Sequence, residues 1–220
     1  MDTQNNRMKG NLSPKIKSLN KDGLKLLSFN VENLEPKLDE PHFIDLISSH
    51  DISFLCETWR RDDSKICLPG FWDFSQVRVK RKKAGRYSGG ITIFVKENLR
   101  PGLKILNSKS EGFIWVKLER KFFNTPKDIF ICATYIPPKY SIMHNSSLDI
   151  DYFTVLSNDL MKYIDQGNVL LLGDFNSRLG KGDQFSHLNH QFLDDMLPPG
   201  ISVDSYRNSC DSIKIILEKK

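Results

Sequence analysis

The sequence predicts an α/β domain built on large, partly antiparallel sheets, and three observations carry that expectation. Apolar residues make up 39% and charged residues 27% of the 220-residue chain. That balance is globular and excludes disordered, collagen-like and disulfide-scaffold proteins. From residue 24 onward, short apolar runs recur between turn residues, which is the signature of strands. Helically spaced apolar residues interrupt those runs only occasionally, so parallel crossovers and antiparallel meanders are both expected.

The elements follow in order. Residues 1–23 are polar and carry five basic and two acidic groups, a net +3, and are expected to form a disordered basic tail. Residues 24–29 read as a strand. Leu38, Phe43, Ile44 and Ile47 are helically spaced, with Pro41 suited to a first turn. Residues 52–56 form a second apolar strand, and residues 72–79 a third. Gly89-Gly90 leads into a strand over 91–95, where glycines suit a tight entry or a close backbone approach. Residues 103–106, 113–118 and 128–135 continue the series. Leu148, Tyr152, Val155, Leu156, Leu160, Tyr163 and Ile164 line one face of a helix, which leads into a strand over 169–173. Residues 174–208, rich in Gly, Pro, Asn and Asp, are expected to be irregular, and Ile213, Ile216 and Leu217 to open a final helix.

The formal charge of +5 is unevenly spread. Residues 78–86 hold six basic groups and no acid, which with the tail leaves −4 for the remainder. Two basic patches on a mildly acidic body favour a polyanionic partner. Cys56, Cys67, Cys132 and Cys210 form no Cys-x-x-Cys pair and have no accompanying His cluster, which argues against zinc. No apolar run approaches the roughly 20 residues of a membrane-spanning helix, and the first residues lack the apolar stretch of a secretory signal. The expected location is intracellular, the nucleus included.

Four of the strands stop at a residue that can bind metal, phosphate or water: Asn30, Glu57, Tyr135 and Asp174, with Asn176 two positions further on. Taken singly, each has a structural explanation as a turn, a cap or a solvated side chain. Together they place two carboxylates and two amides at the carboxyl ends of strands, where α/β sheets bind ligands. Hard oxygen donors of this kind suit Mg²⁺ with a substrate phosphate. Glu57 and Asn30 are the candidate metal ligands. Asp174 can orient or deprotonate a water, while Asn176 and Tyr135 can donate to phosphate oxygens.

The blocks Ser28-Phe29-Asn30-Val31, Glu57-Thr58-Trp59, Ser88-Gly89-Gly90-Ile91-Thr92-Ile93, Tyr135-Ile136-Pro137-Pro138 and Gly173-Asp174-Phe175-Asn176-Ser177-Arg178 occur in that order. This set resembles the endonuclease/exonuclease/phosphatase superfamily. The resemblance implies two packed mixed β-sheets flanked by helices, a DNase I-like four-layer sandwich spanning residues 24–220. It also implies a Mg²⁺-dependent hydrolytic site (Mn²⁺ an alternative). The family's metal-ligand Glu falls on Glu57, its first-motif Asn on Asn30, its phosphate-contacting Tyr on Tyr135, and its catalytic Asp and Asn on Asp174 and Asn176. Within the superfamily the sequence looks most like the endonuclease domain of LINE-type (non-LTR) retrotransposons, which implies DNA as partner and, in a full-length relative, a fused reverse transcriptase. Arg78, Lys80, Arg81, Lys82, Lys83 and Arg86 would then touch DNA phosphates, making binding salt-sensitive.

The resemblance also implies two further C-terminal blocks ending in an Asp-His pair. No Asp-His dipeptide occurs, and His42, His50, His144, His187 and His190 have no matching context. The expectation is therefore a domain incomplete at its C-terminus, lacking its last strands, with activity reduced by about 10²–10⁴ or lost. Two alternatives stand beside the nuclease: an inactive nucleic-acid-binding fragment, and a phosphatase of the same fold acting on phosphoinositides or small phosphoesters.

Overall fold

Alternation of side chains along each strand decides how the layers stack. The computed structural model describes residues 23–78, 87–106, 110–138 and 151–176, and the backbone of 201–206 and 215–217. One sheet contains β1 (Leu24–Asn30), β2 (Ile52–Cys56), β3 (Phe71–Gln76), β4 (Ile91–Lys96) and β9 (Ile201–Tyr206), in the order β3-β4-β2-β1-β9. The other contains β5 (Leu103–Leu106), β6 (Phe113–Leu118), β7 (Asp128–Tyr135), β8 (Gly167–Asp174) and β10 (Ile215–Leu217), in the order β10-β8-β7-β6-β5.

Ile52, Phe54 and Cys56 of β2 and Ile129, Ile131, Ala133 and Tyr135 of β7 share one buried cluster between the sheets. The intervening residues point the other way, as a period of two requires. Leu55 of β2 joins Phe43 and Ile47 of α2 (Pro41–Ser48) on the outer face of the first sheet. Phe130 and Cys132 of β7 join Tyr152 and Leu156 of α4 (Tyr152–Tyr163) on the outer face of the second. The result is the four-layer α/β sandwich anticipated from the motifs. Short helices α1 (Leu34–Lys37) and α3 (Arg120–Phe123) and a 3₁₀ turn (Glu97–Gly102) complete the connections.

Local chemistry explains the helix starts. Pro41 sits in the first turn of α2, where its missing N–H costs no helical hydrogen bond. Asp151 caps α4, its Oδ1 accepting from the amides of Phe153 at 3.1 Å and Thr154 at 3.3 Å. Each sheet holds a parallel pair whose carboxyl ends point to the site. β1 runs parallel to β2 with Asn30 opposite Cys56, and β7 runs parallel to β8 with Tyr135 opposite Asp174.

Two expectations are corrected. Part of the stretch 174–208, expected to be irregular, forms β9, which pairs parallel with β1 from Leu24↔Ile201 to Phe29↔Tyr206. The alternation Ile201-Ser202-Val203 was the available signal. Ile215–Leu217, expected to be helical, forms β10, antiparallel to β8 over Val169–Leu171. A sheet edge offers every backbone group a partner, and that outweighs a weak helical spacing in a β-branched run. Residues 1–22 and Leu148 lie outside the described residues. No helix among the described residues is long and apolar enough to cross a membrane.

Candidate active site

The two parallel pairs face one another, and their carboxyl ends bring Asn30 and Glu57 from one sheet against Tyr135, Asp174 and Asn176 from the other. The joint is explicit: Asn30 Nδ2 donates to Asp174 Oδ2 at 2.9 Å, across 144 positions of sequence. Asp174 is 6% exposed. Its Oδ1 accepts from the Asn176 backbone amide at 2.9 Å, and Asn176 Nδ2 donates to the Ile136 carbonyl at 2.8 Å. Asn30 Oδ1 accepts from the Glu32 amide at 3.3 Å.

Glu57 is held just as firmly. The Trp59 indole N–H donates to its Oε2 at 2.6 Å and the Gly89 amide to the same oxygen at 3.1 Å. Glu57 also acts on Tyr135, whose phenol it pushes above its ordinary value. Asn30, Asp174 and Asn176 are thus linked by hydrogen bonds, and Tyr135 stands opposite Asp174 in register and close to Glu57.

Backbone strain concentrates at the same place. Of six non-glycine residues with positive φ among the described residues, five flank the site: Glu32 (48°), Asn33 (96°), Glu57 (57°), Trp59 (53°) and Asn176 (44°). The sixth, Asn124, caps α3. Such conformations cost about 1–3 kcal/mol each and cluster where function requires them. The glycines of Ser88-Gly89-Gly90 have a related purpose. A Cβ on Gly89 would meet Arg78 Cδ at 2.8 Å and Tyr135 Cε1 at 3.1 Å, so only glycine brings its amide to Glu57 while Arg78 and Tyr135 pack behind it.

Arg78 requires a correction. It does not face outward to meet phosphate; it is 5% exposed and spans the interior. Its Nη2 donates to the Tyr152 hydroxyl at 2.9 Å, its Nε lies 3.9 Å from Glu111, and its guanidinium carbon is 6.0 Å from the Tyr135 ring centroid. The bond from Nη2 to Tyr152 and the nearby Glu111 charge hold the side chain inward. Lys80, Arg81, Lys82, Lys83 and Arg86 lie outside the described residues. Sequence reasoning assigned no role to Trp59 or to the Gly89 amide. The only available signal was their presence in the Glu57-Thr58-Trp59 and Ser88-Gly89-Gly90 blocks.

Burial pushes the Tyr135 phenol well above its ordinary value near 10, and Glu57 adds to the shift as charge and as acceptor, while Arg78 opposes it. The folded chain therefore keeps this proton at a pH where the unfolded chain has lost it. The associated stability is complete below about pH 10 and is lost as pH rises further. In urea unfolding series between pH 8 and 11, the wild-type midpoint is expected to fall more steeply at the alkaline end than that of Tyr135→Phe. Parallel curves would remove Tyr135 as the source.

The donor set suits a hard divalent cation. Among the described residues no group of three or more His, Cys, Asp or Glu is gathered. Two carboxylates with amide oxygens nearby would suit such an ion only with water or substrate phosphate as further ligands.

The endonuclease/exonuclease/phosphatase family matches residues 27–212, an interval that contains all five site residues. The chain belongs to that family. Among solved structures it is similar to the AP endonuclease LMAP from Leishmania major, with 15% identity and a TM-score of 0.51 over 68% of this chain and 54% of that one. It is also similar to the Xenopus laevis APE2 catalytic domain, with 13% identity and a TM-score of 0.51 over 77% of this chain and 67% of that one. The endonuclease domain of TRAS1, a telomere-specific non-LTR retrotransposon, matches with 14% identity and a TM-score of 0.47, over 78% of this chain and 70% of that one. At 15% and 13% identity, the two matches with TM-scores of 0.51 speak for the fold alone. The family member described here spans about half the length of the Leishmania protein. No curated protein matches the sequence.

Proposed function

We propose that this chain is a Mg²⁺-dependent hydrolase of phosphodiester bonds in DNA, with Mn²⁺ an effective substitute. The observation that carries the reading is the Asn30–Asp174 hydrogen bond. It joins the ends of the two sheets, and Asn176 bonds the same Asp174 carboxylate, which supports a shared site with Glu57 and Tyr135. Glu57 and Asn30 would hold the cation, which when bound supplies positive charge against the phosphate. Asp174, with each oxygen fixed by an amide donor, orients the attacking water and accepts its proton. Asn176 Nδ2 has a second hydrogen beyond the one given to Ile136, and with it can donate to a phosphate oxygen. Tyr135 stays protonated and would be the second donor once its single hydroxyl hydrogen turns from Glu57 to the phosphate.

The finer reading is an endonuclease domain of the LINE type within residues 24–220, preceded by a basic tail over 1–23. The order of the motif blocks and the Tyr135-Ile136-Pro137-Pro138 segment support it. DNA is the polyanion that the Lys/Arg run after Arg78 would meet, an intracellular and nuclear setting follows from that partner, and a reverse transcriptase is the expected fused neighbour.

The test is conversion of supercoiled plasmid to nicked circles by the full chain. Nicking is expected with Mg²⁺, none with EDTA, and recovery on adding excess Mn²⁺. Glu57→Gln is expected to nick at least about 10²-fold more slowly at limiting Mg²⁺. EDTA-resistant nicking would overturn the metal assignment. Release of phosphate from small phosphoesters with an inert plasmid would overturn DNA as the substrate.

A further inference from the structure

Resting on the reading of Glu57 as a cation ligand, we propose that Trp59 and the Gly89 amide form a clamp that presents Glu57 to the ion through one oxygen only, with Trp59 as its positioning residue. Two N–H donors converge on Oε2, the indole of Trp59 at 2.6 Å and the amide of Gly89 at 3.1 Å. An ionised carboxylate oxygen has about two in-plane lone-pair sites. With both filled, Oε2 has no direction left for a cation, and Oε1 must meet it alone.

The chain bends to make this clamp. Glu57 and Trp59 both take left-handed backbone conformations, which return the indole onto the carboxylate two residues earlier. Trp59 N–H bonds the Gly89 carbonyl at 2.9 Å, which ties the loop after β2 to the strand entry that supplies the second donor. Gly90 completes the approach, since a Cβ there would lie 2.8 Å from Thr58 Oγ1. Arg60, 7% exposed, anchors the far end of the loop by donating to Ser75 Oγ at 2.5 Å and to the Ser64 carbonyl. A loop fastened at both ends around one carboxylate oxygen has the form of an outer support for a ligand, and losing such support typically costs 10–100-fold in metal affinity.

The test measures ion binding by the full chain, without substrate. Free Mn²⁺ is followed by electron paramagnetic resonance for wild type, Trp59→Phe and Glu57→Gln, with circular dichroism to verify the fold. Trp59→Phe keeps the ring packing and removes the donor, and is expected to weaken Mn²⁺ about 10–100-fold. In ¹⁵N-labelled wild type, the Trp59 indole cross-peak, identified by its loss in Trp59→Phe, is expected to move during a Mg²⁺ titration. This second measurement needs only the native chain. Unchanged Mn²⁺ affinity in a folded Trp59→Phe, or a stationary Trp59 signal while Mg²⁺ binds, overturns the clamp and leaves Glu57 as ligand. Wild-type binding that Glu57→Gln does not alter, or no binding at all, overturns the ligand assignment and the clamp with it.

Discussion

Replacing Asp174 with asparagine is expected to slow plasmid nicking by about 10²–10⁴, the usual contribution of a positioned general base. The substitution is nearly isosteric, so the loss reads the chemistry. One complication is foreseeable from the hydrogen bonds. Each Asp174 oxygen accepts from an amide donor, Asn176 N on one side and Asn30 Nδ2 on the other. An asparagine there must point its own NH₂ at one of them, leaving a donor unpaired at a cost of about 1–3 kcal/mol. The double variant Asn30→Asp/Asp174→Asn exchanges donor and acceptor and restores the pairing without restoring the carboxylate on β8. A melting temperature close to wild type in the double variant would assign the stability lost in Asp174→Asn to the unpaired donor. Nicking at the wild-type rate in folded Asp174→Asn would remove Asp174 from the chemistry.

Gly173→Ala is expected to cost more than about 3 kcal/mol of stability, the range reached by severe overpacking. Gly173 has φ of 122°, and a Cβ on it would lie 2.0 Å from the Thr134 carbonyl oxygen. That oxygen belongs to the neighbouring strand, where Thr134 pairs with Gly173 and Tyr135 with Asp174. No rotamer relieves a clash with backbone, so β7 and β8 must separate at the step that positions two site residues. A drop of about 6–12 °C in melting temperature is expected for a domain of this size. Gly70→Ala is the control: φ there is 80°, with nothing within 4 Å of the added atom. It carries only the conformational penalty, on the order of 1 kcal/mol. Equal effects of the two substitutions would mean that the strand approach at Gly173 is loose.

The strands and both longer helices were legible because their burial is periodic. Residues 52–56, 103–106, 113–118 and 128–135 read as strands and fold as such, since alternate side chains have two different cores to enter. The placement of Asn30, Glu57, Tyr135 and Asp174 at sheet ends was legible for a related reason: a polar group directly after a buried apolar run has to sit there. β10 was not legible, because three residues fix no period and a neighbouring edge settles their conformation. Arg78 was misread because composition treats the run 78–86 as uniform. Only the positions of Tyr152 and Glu111, far along the chain, show that its first member turns inward. Trp59 was quoted in a motif yet given no task, because its contact with Glu57 depends on two left-handed backbone angles that no residue type announces.

The hydrogen bond between Asn30 and Asp174 has a consequence for the life of the chain. Its partners lie 144 positions apart and on different sheets, so it can form only after the sheets have docked. A nascent chain that has made β1 to β4 holds Asn30 and Glu57 but not Asp174. The half from β5 to β8 holds Asp174 but neither of the other two. Under the proposed function, a half-made copy would therefore carry no complete site to turn on nucleic acid nearby.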